Sequence, residues 1–120
     1  MRKMEGLEII EYTGEGYKSA LRFGAWRVAF LNHAEIFDKI KRLERHMETD
    51  EVFMLLEGEA TLIIGLDKNV IPMEKHKIYN VRCGVWHNIK VSKDAKVFIV
   101  ENDDTTVQNS EYINFDIPII

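Results

Sequence analysis

An all-β chain is predicted, on two observations. Apolar residues recur with a period of two over most of the sequence, the spacing that sends alternate side chains to opposite faces of a strand. The runs that carry this period are short, and turn-forming clusters break them roughly every 8–12 residues, the rhythm of a sandwich or barrel.

Taken in order, "SALRFGAWRVAFL" (19–31) is rich in aromatic and β-branched residues, and Gly24, between Phe23 and Ala25, marks a bulge or a tight bend. The stretch 34–45 reads two ways. Ile36, Phe37, Ile40 and Leu43 have helical spacing, so "AEIFDKIKRL" fits a short helix, while residues 40–46 also fit a strand leading into an acidic turn. Glu51 to Glu57 is a strand that ends at Gly58. "EATLIIGL" (59–66) follows at once, and "LEGEA" has the composition of a tight hairpin. "KHKIYNV" (75–81), "WHNIKV" (86–91) and "KVFIVE" (96–101) complete the strands, separated by "RCG" and "SKDA". The tail 102–120 starts polar and ends apolar, and Tyr112, Phe115 and the terminal isoleucines require cover from the body or from a second subunit. With no repeat, linker or low-complexity tract, residues 1–120 read as one domain, its barrel core at about 19–101.

Composition narrows the function. The chain has 120 residues, enough for one real core, and is 46% apolar and 30% charged, as soluble globular proteins are. Its net charge of −4 argues against a nucleic-acid partner, which needs a concentrated basic face. The most basic run, "DKIKRLER", is diluted by Asp38 and Glu44 and reads as a solvated face. One cysteine, Cys83, has no partner for a disulfide and no metal-type spacing, which points to a reducing compartment. The N-terminus lacks an apolar signal core and no run approaches the roughly 18 apolar residues of a spanning helix. A soluble, cytoplasmic protein without a membrane partner is expected.

The chemistry-bearing residues cluster in "ERHMETDEVFMLLEGEA" and "CGVWHN". If 40–46 is extended, Glu44 and His46 face the same way. After the "METD" turn, Glu51, Phe53 and Leu55 share one face and Val52, Met54 and Leu56 the other. His87 is in phase with Ile89 and Val91. Imidazole with carboxylate suits Mn, Fe, Ni, Zn or Co, provided three or four such groups converge on rigid neighbouring elements. The spacing permits that convergence.

These residues resemble the two motifs of the cupins. The first, histidine-x-histidine-x(3 or 4)-glutamate-x6-glycine, is similar to Glu44-x-His46-x4-Glu51-x6-Gly58. The second, glycine-x5-proline-x-glycine-x2-histidine-x3-asparagine, is matched by residues 76–91 at Gly84 and His87. The resemblance covers roughly residues 40 to 101. It implies a small antiparallel jelly-roll β-barrel with a divalent metal (Mn, Fe, Ni or Zn) on His46, Glu51 and His87. Glu44 stands where the first histidine would be, either as a fourth ligand or as a partner of Arg42 or Arg45. Asp38, His76, Arg82 and Val91 also depart from the pattern, at its leading glycine, second-motif glycine, proline and asparagine.

Other residues read more plainly. Asp50 faces away from Glu51 and does not pair with it for acid–base work. His33 and His76 are structural or exposed, Cys83 is a small turn residue, and Trp86 points away from the metal face. Phe53 and Trp26 either line a ligand pocket or fill the barrel, as do Phe23, Phe30 and Tyr79. Arg82 either holds an anionic substrate at the barrel mouth or is a loop arginine. The expected function is a small-molecule metalloenzyme of isomerase, lyase or oxygenase type. The alternative is a non-catalytic barrel that binds or senses a metabolite with a degenerate site, or one whose pocket is closed by aromatics. A homodimer is expected through "LEIIEY" and "INFDIPII".

Overall fold

A computed structural model describes residues 2–120. Its strands are β1 (Arg2–Met4), β2 (Leu7–Ile9), β3 (Tyr17–Phe23), β4 (Trp26–Asn32), β5 (Arg42–His46), β6 (Glu51–Glu57), β7 (Ala60–Ile64), β8 (Asn69–Pro72), β9 (Tyr79–Val81), β10 (His87–Val91), β11 (Lys96–Asn102) and β12 (Ser110–Asn114). β1 and β2 form a separate hairpin. The others build two five-stranded antiparallel sheets, ordered β12-β5-β10-β7-β8 and β3-β4-β11-β6-β9. This is the all-β architecture that the period of two predicts, in the jelly-roll arrangement that the resemblance implies.

Alternation sets what the sheets bury. On β6, Glu51, Phe53 and Leu55 are buried and Val52, Met54 and Leu56 are not; on β11 the buried set is Val97, Ile99 and Glu101. The core joins Ala29, Leu31, Phe53, Leu55, Val97 and Ile99 of one sheet to Ala60, Leu62, Ile89 and Val91 of the other. Two carboxylates, Glu51 and Glu101, therefore sit at positions where the pattern calls for apolar side chains.

The structure resolves the ambiguous segments. Gly24, at φ 59°, makes the tight bend that joins β3 to β4, and the bulge lies instead between Ser19 and Leu21. Between 34 and 46 there is one 3-10 turn, Glu35–Phe37, and then β5. The helix over 34–43 does not form, because its apolar residues have different destinations: Ile36 is exposed, whereas Ile40 and Leu43 enter a second core cluster with Ile63. The strand expected over 75–81 is shortened to β9, since His76 at φ 68° interrupts it and Lys75 makes only a lone bridge to Leu55. β8 was not expected. All four of its residues are exposed, so it carries no burial alternation, and only the Gly65–Lys68 turn folds it back onto β7.

The tail packs on its own chain. β12 pairs antiparallel with β5, setting Ser110 opposite His46 and Tyr112 opposite Glu44. The pairing continues as the Phe115 and Ile119 N–H groups donate to the Lys41 and Ile40 carbonyls and Ile40 N–H donates to Ile120. Phe115, Ile119, Ile120 and Trp86 then cover Ile40, Leu43 and Ile63. Phe115, Ile119 and Ile120 of "INFDIPII" are thus used within the chain, while Ile117 stays exposed.

Gly58, the glycine of the first motif, illustrates how closely the hairpins pack. It has φ 73°, and a Cβ there would lie 2.7 Å from both N and Cα of Ala95. Gly24 shares the left-handed backbone but has nothing within 4 Å of its Cβ position. By urea unfolding, Gly24→Ala is expected to lose only the left-handed penalty of about 1–2 kcal/mol. Gly58→Ala is expected to lose roughly a further 1–3 kcal/mol through overpacking; equal losses would disprove the close approach.

Candidate metal centre and ligand cavity

The centre is built across the two sheets. β5 and β10 are neighbours in one sheet, with Glu44 directly opposite His87, and His46 follows two residues after Glu44 on the same side. Glu51 comes from β6 in the other sheet. Its Oε1 lies 3.1 Å from His46 Nε2 and 3.0 Å from His87 Nε2, and the two imidazole centroids are 5.2 Å apart. Glu51 and His87 are only 6% and 2% exposed, which puts the contact inside the protein. The edge of the Phe53 ring closes over His87, with centroids 5.9 Å apart.

Each imidazole is oriented from behind. His87 Nδ1 donates to the Val85 carbonyl at 2.9 Å, and Ser110 Oγ lies 2.8 Å from His46 Nδ1. The loop that carries Val85 is pinned in turn. Gly84, at φ 78°, donates its N–H to the His46 carbonyl, and the Asp50 carboxylate accepts from Cys83 N–H and Asn80 Nδ2. The Asn80 amide, followed by the Cys83 N–H, holds the Asp50 carboxyl below its ordinary range. Asp50 is exposed and faces away from Glu51, as alternation requires.

The tautomer of His87 decides what this centre can hold. A carbonyl only accepts, so Nδ1 carries the proton, and Nε2 of the neutral ring turns a lone pair toward a carboxylate. Such a contact at 3.0 Å requires either a second proton on the ring or a cation shared by the two groups. In the absence of metal, proton chemistry fills the role. Burial opposes charge on His87 and His46, but the hydrogen bond to Glu51 and its negative charge outweigh that and raise both imidazoles above their ordinary range. Burial likewise pushes Glu51 up, and the hydrogen bonds and charges of the two imidazoles overcome it and hold the carboxyl well below the usual range.

Beside this centre is a group that the sequence reading missed. Glu101 on β11 stands opposite Arg27 on β4. Its Oε1 accepts from Tyr17 Oη at 2.6 Å and from Arg27 Nη2 at 2.8 Å, while Oε2 is buried without a partner. Burial, then the charge of Glu51, push the Glu101 carboxyl up, against the Tyr17 and Arg27 contacts that pull it down. The signal was present in "KVFIVE", where a glutamate follows two buried positions in phase.

His46, His87, Glu44, Glu51 and Phe53 all line one cavity of about 300 Å³, together with Tyr17, Arg27 and Glu101. That volume lies at the small end of the range for small-molecule sites, about 300–1,000 Å³. Donor atoms of Glu44, His46 and His87 lie within 4.8 Å of one another, as do those of His46, Glu51 and Glu101. The convergent lone pairs of His46 and His87, with the carboxylates of Glu44 and Glu51 beside them, fit a divalent cation. Trp26 and Arg82 lie elsewhere, correcting their assignment to the pocket. Trp26 sits 42% exposed at the tip of the β3–β4 hairpin against Phe23, where no second sheet covers it. Arg82, on the exposed loop after β9, lines a separate groove with Ile71 and Tyr79. His33 pairs with Asp38 at 2.6 Å, and His76 is exposed at its turn.

No protein-family model matches the chain, and neither does any curated protein. Solved structures do match. A uridine-bound variant of Streptomyces PAC13 superposes with a TM-score of 0.66 at 7% identity, over 88% of this chain and 85% of that one. Pac13 is described as a nucleoside dehydratase. A cupin-2 domain protein from Shewanella frigidimarina gives 0.60 at 17% identity, over 76% of this chain and 84% of that one. An RmlC-like cupin with a double-stranded β-helix fold from Methanocaldococcus jannaschii gives 0.60 at 14%, over 81% and 91%. At these identities the likeness is one of fold, and the fold is that of a small cupin domain.

The pKa directions set the pH response of chelator-treated protein. The raised imidazoles contribute stability that is fully present below their unfolded value near 6.5 and is lost as pH rises through their higher folded values. Depressed Glu51 contributes stability present above about 4.5 and lost as pH falls through its lower folded value. The urea midpoint of the metal-free protein is therefore expected to peak between about pH 4.5 and 6.5, and Glu51→Gln to flatten that peak. A wild-type profile no steeper than the variant's between pH 6 and 9 would contradict the shared-carboxylate arrangement.

Proposed function

We propose that the cavity holds one divalent metal on His46, His87 and Glu51, with Glu44 as a fourth ligand, and that the protein is a small-molecule metalloenzyme. One observation carries the reading: two imidazole nitrogens converge on a single buried carboxylate oxygen inside a cavity with room for a ligand. The donor set, two nitrogens with hard carboxylate oxygens, suits Mn, Fe, Ni or Zn. Such an ion supplies Lewis acidity at a ligand oxygen and a lowered pKa for bound water.

The chain's own residues do the rest. Val85 and Ser110 fix the two rings, so that both Nε2 atoms face the cavity centre. Leu31, Phe37, Phe53, Ile89 and Ile99 give the cavity apolar walls that limit water. Glu44 is half-buried and 4.0 Å from Arg42, with a carboxylate oxygen within 4.8 Å of ring nitrogens of His46 and His87. Among the isomerase, lyase and oxygenase chemistries, the likeness to a nucleoside dehydratase supports the lyase class. A second reading is a non-catalytic metabolite-binding barrel, supported by the departures of Glu44, His76, Arg82 and Val91 from the two motifs. The exposed apolar residues Leu7, Ile9, Phe23 and Trp26 support a homodimer formed through the N-terminal side of the chain.

Elemental analysis of protein purified without chelator, for wild type and His87→Ala, separates these readings. Near-stoichiometric metal in the wild type and a loss of at least tenfold in a folded His87→Ala variant are expected. Metal-loaded protein is then expected to turn over a hydroxylated small molecule, with uridine the first to try. An absence of metal from both proteins, with folding unchanged, would leave the binding barrel as the better reading. A monomer mass in solution scattering would refute the dimer.

A further inference from the structure

We infer that Glu101 is the ligand-recognition carboxylate of this cavity, its Oε2 accepting a hydrogen bond from a hydroxyl group of a neutral, polyhydroxylated small molecule. The inference rests on the cavity being a small-molecule site, and not on the metal. Among the described residues, three buried side-chain polar atoms lack a partner, on Ser19, Asn32 and Glu101; only that of Glu101 belongs to a charged group, and only Glu101 lines the cavity.

The other half of the carboxylate is already committed. Tyr17 and Arg27 both donate to Oε1, which fixes the plane of the group, with the side chain 3% exposed. A buried carboxylate oxygen held this firmly and left unpaired is a preorganised acceptor for a donor that arrives from outside. Arg27 is already drawn into the same network through three of its five N–H groups. Its Nε donates to Tyr17 Oη at 3.1 Å and its Nη1 to the Asp103 carbonyl at 3.3 Å, while Nη2 serves Glu101.

Charge then selects the ligand class. Glu44, Glu51 and Glu101 line the cavity against one guanidinium and the two imidazoles. A phosphate or carboxylate brought to Oε2 would set like charge against like and bring no proton to share between the two oxygens. A neutral hydroxyl donates to Oε2 without that repulsion. Asn88, Thr106 and Ser110 supply uncharged polar neighbours for further hydroxyls, and Leu31, Phe53 and Ile99 supply apolar wall for the C–H faces between them. The same carboxylate is also within metal-ligand reach of His46 and Glu51, so the test must separate recognition from coordination.

The experiment uses the protein as purified. Ligand-observed NMR compares neutral pentoses, hexoses and inositols with sugar phosphates and sugar acids of equal carbon number. The tightest neutral binder and its monodeoxy analogues are then titrated into wild type and Glu101→Gln, with metal content measured on both. One deoxy analogue is expected to bind the wild type roughly 10- to 100-fold more weakly, the range for hydrogen bonds to a charged acceptor. Glu101→Gln is expected to weaken the parent compound similarly, to be indifferent to that hydroxyl, and to keep the wild-type metal content. If the variant is unstable, the deoxy series in the wild type still tests the inference, since analogues that all match the parent overturn it. Preference for the acids or phosphates, binding by none of the neutral compounds, or deoxy analogues that all match the parent would overturn the inference. Metal lost from Glu101→Gln would make Glu101 a ligand to the ion and overturn it too. Wild-type protein without metal that still discriminates the deoxy analogue through Glu101 would remove the metalloenzyme reading and leave this one standing.

Discussion

Everything around the cavity is arranged about one buried carboxylate shared by two imidazoles. Glu51 occupies an inward position of β6, between Val81 across the strand pair and the core residues Phe53 and Leu55 along the strand. A lone carboxylate there would be strongly destabilising. It is tolerated because His46 and His87 approach from the opposite sheet, which requires β5 and β10 to be neighbours. The two rings need their own partners, and these come from the Gly84–Val85 turn and from β12. The polar centre therefore constrains sheet order, one turn and the path of the tail.

Much of this was legible in the sequence, for identifiable reasons. The alternation along 51–57 and 86–91 put Glu51 and His87 in phase with buried apolar residues, the setting in which a period of two is informative. His46, by contrast, was in phase with Glu44 only if 40–46 was extended. Gly58 and Gly84 stood out as the glycines of the two motifs, and each occupies a left-handed backbone position. Trp86 was correctly turned away from the centre, and it packs against Ile40, Leu43 and Ile63 with the Arg45 guanidinium over its ring.

The rest was hidden by long-range pairing. β8 is exposed along its whole length and is recognisable only by its partner β7. Arg27 and Glu101 are far apart in sequence and meet because β4 and β11 are adjacent strands. Neither residue matches a motif, so a pattern-based reading passes over them. Aromatic residues misled for a related reason: Trp26 and Phe23 have strong strand propensity, yet they cap the open end of a hairpin, where they meet each other and stay exposed.

The position of β12 has a consequence for when the cavity comes into being. Ser110 and Tyr112 reach His46 and Glu44 only after a segment some sixty residues downstream has docked on β5. During synthesis, His46, Glu51 and His87 all emerge before the strand that aligns one of them. Until β12 docks, His46 lacks the Ser110 contact that orients its ring, while His87 already has the Val85 carbonyl. Competence to hold a ligand is acquired late, as a property of the closed chain rather than of the motifs.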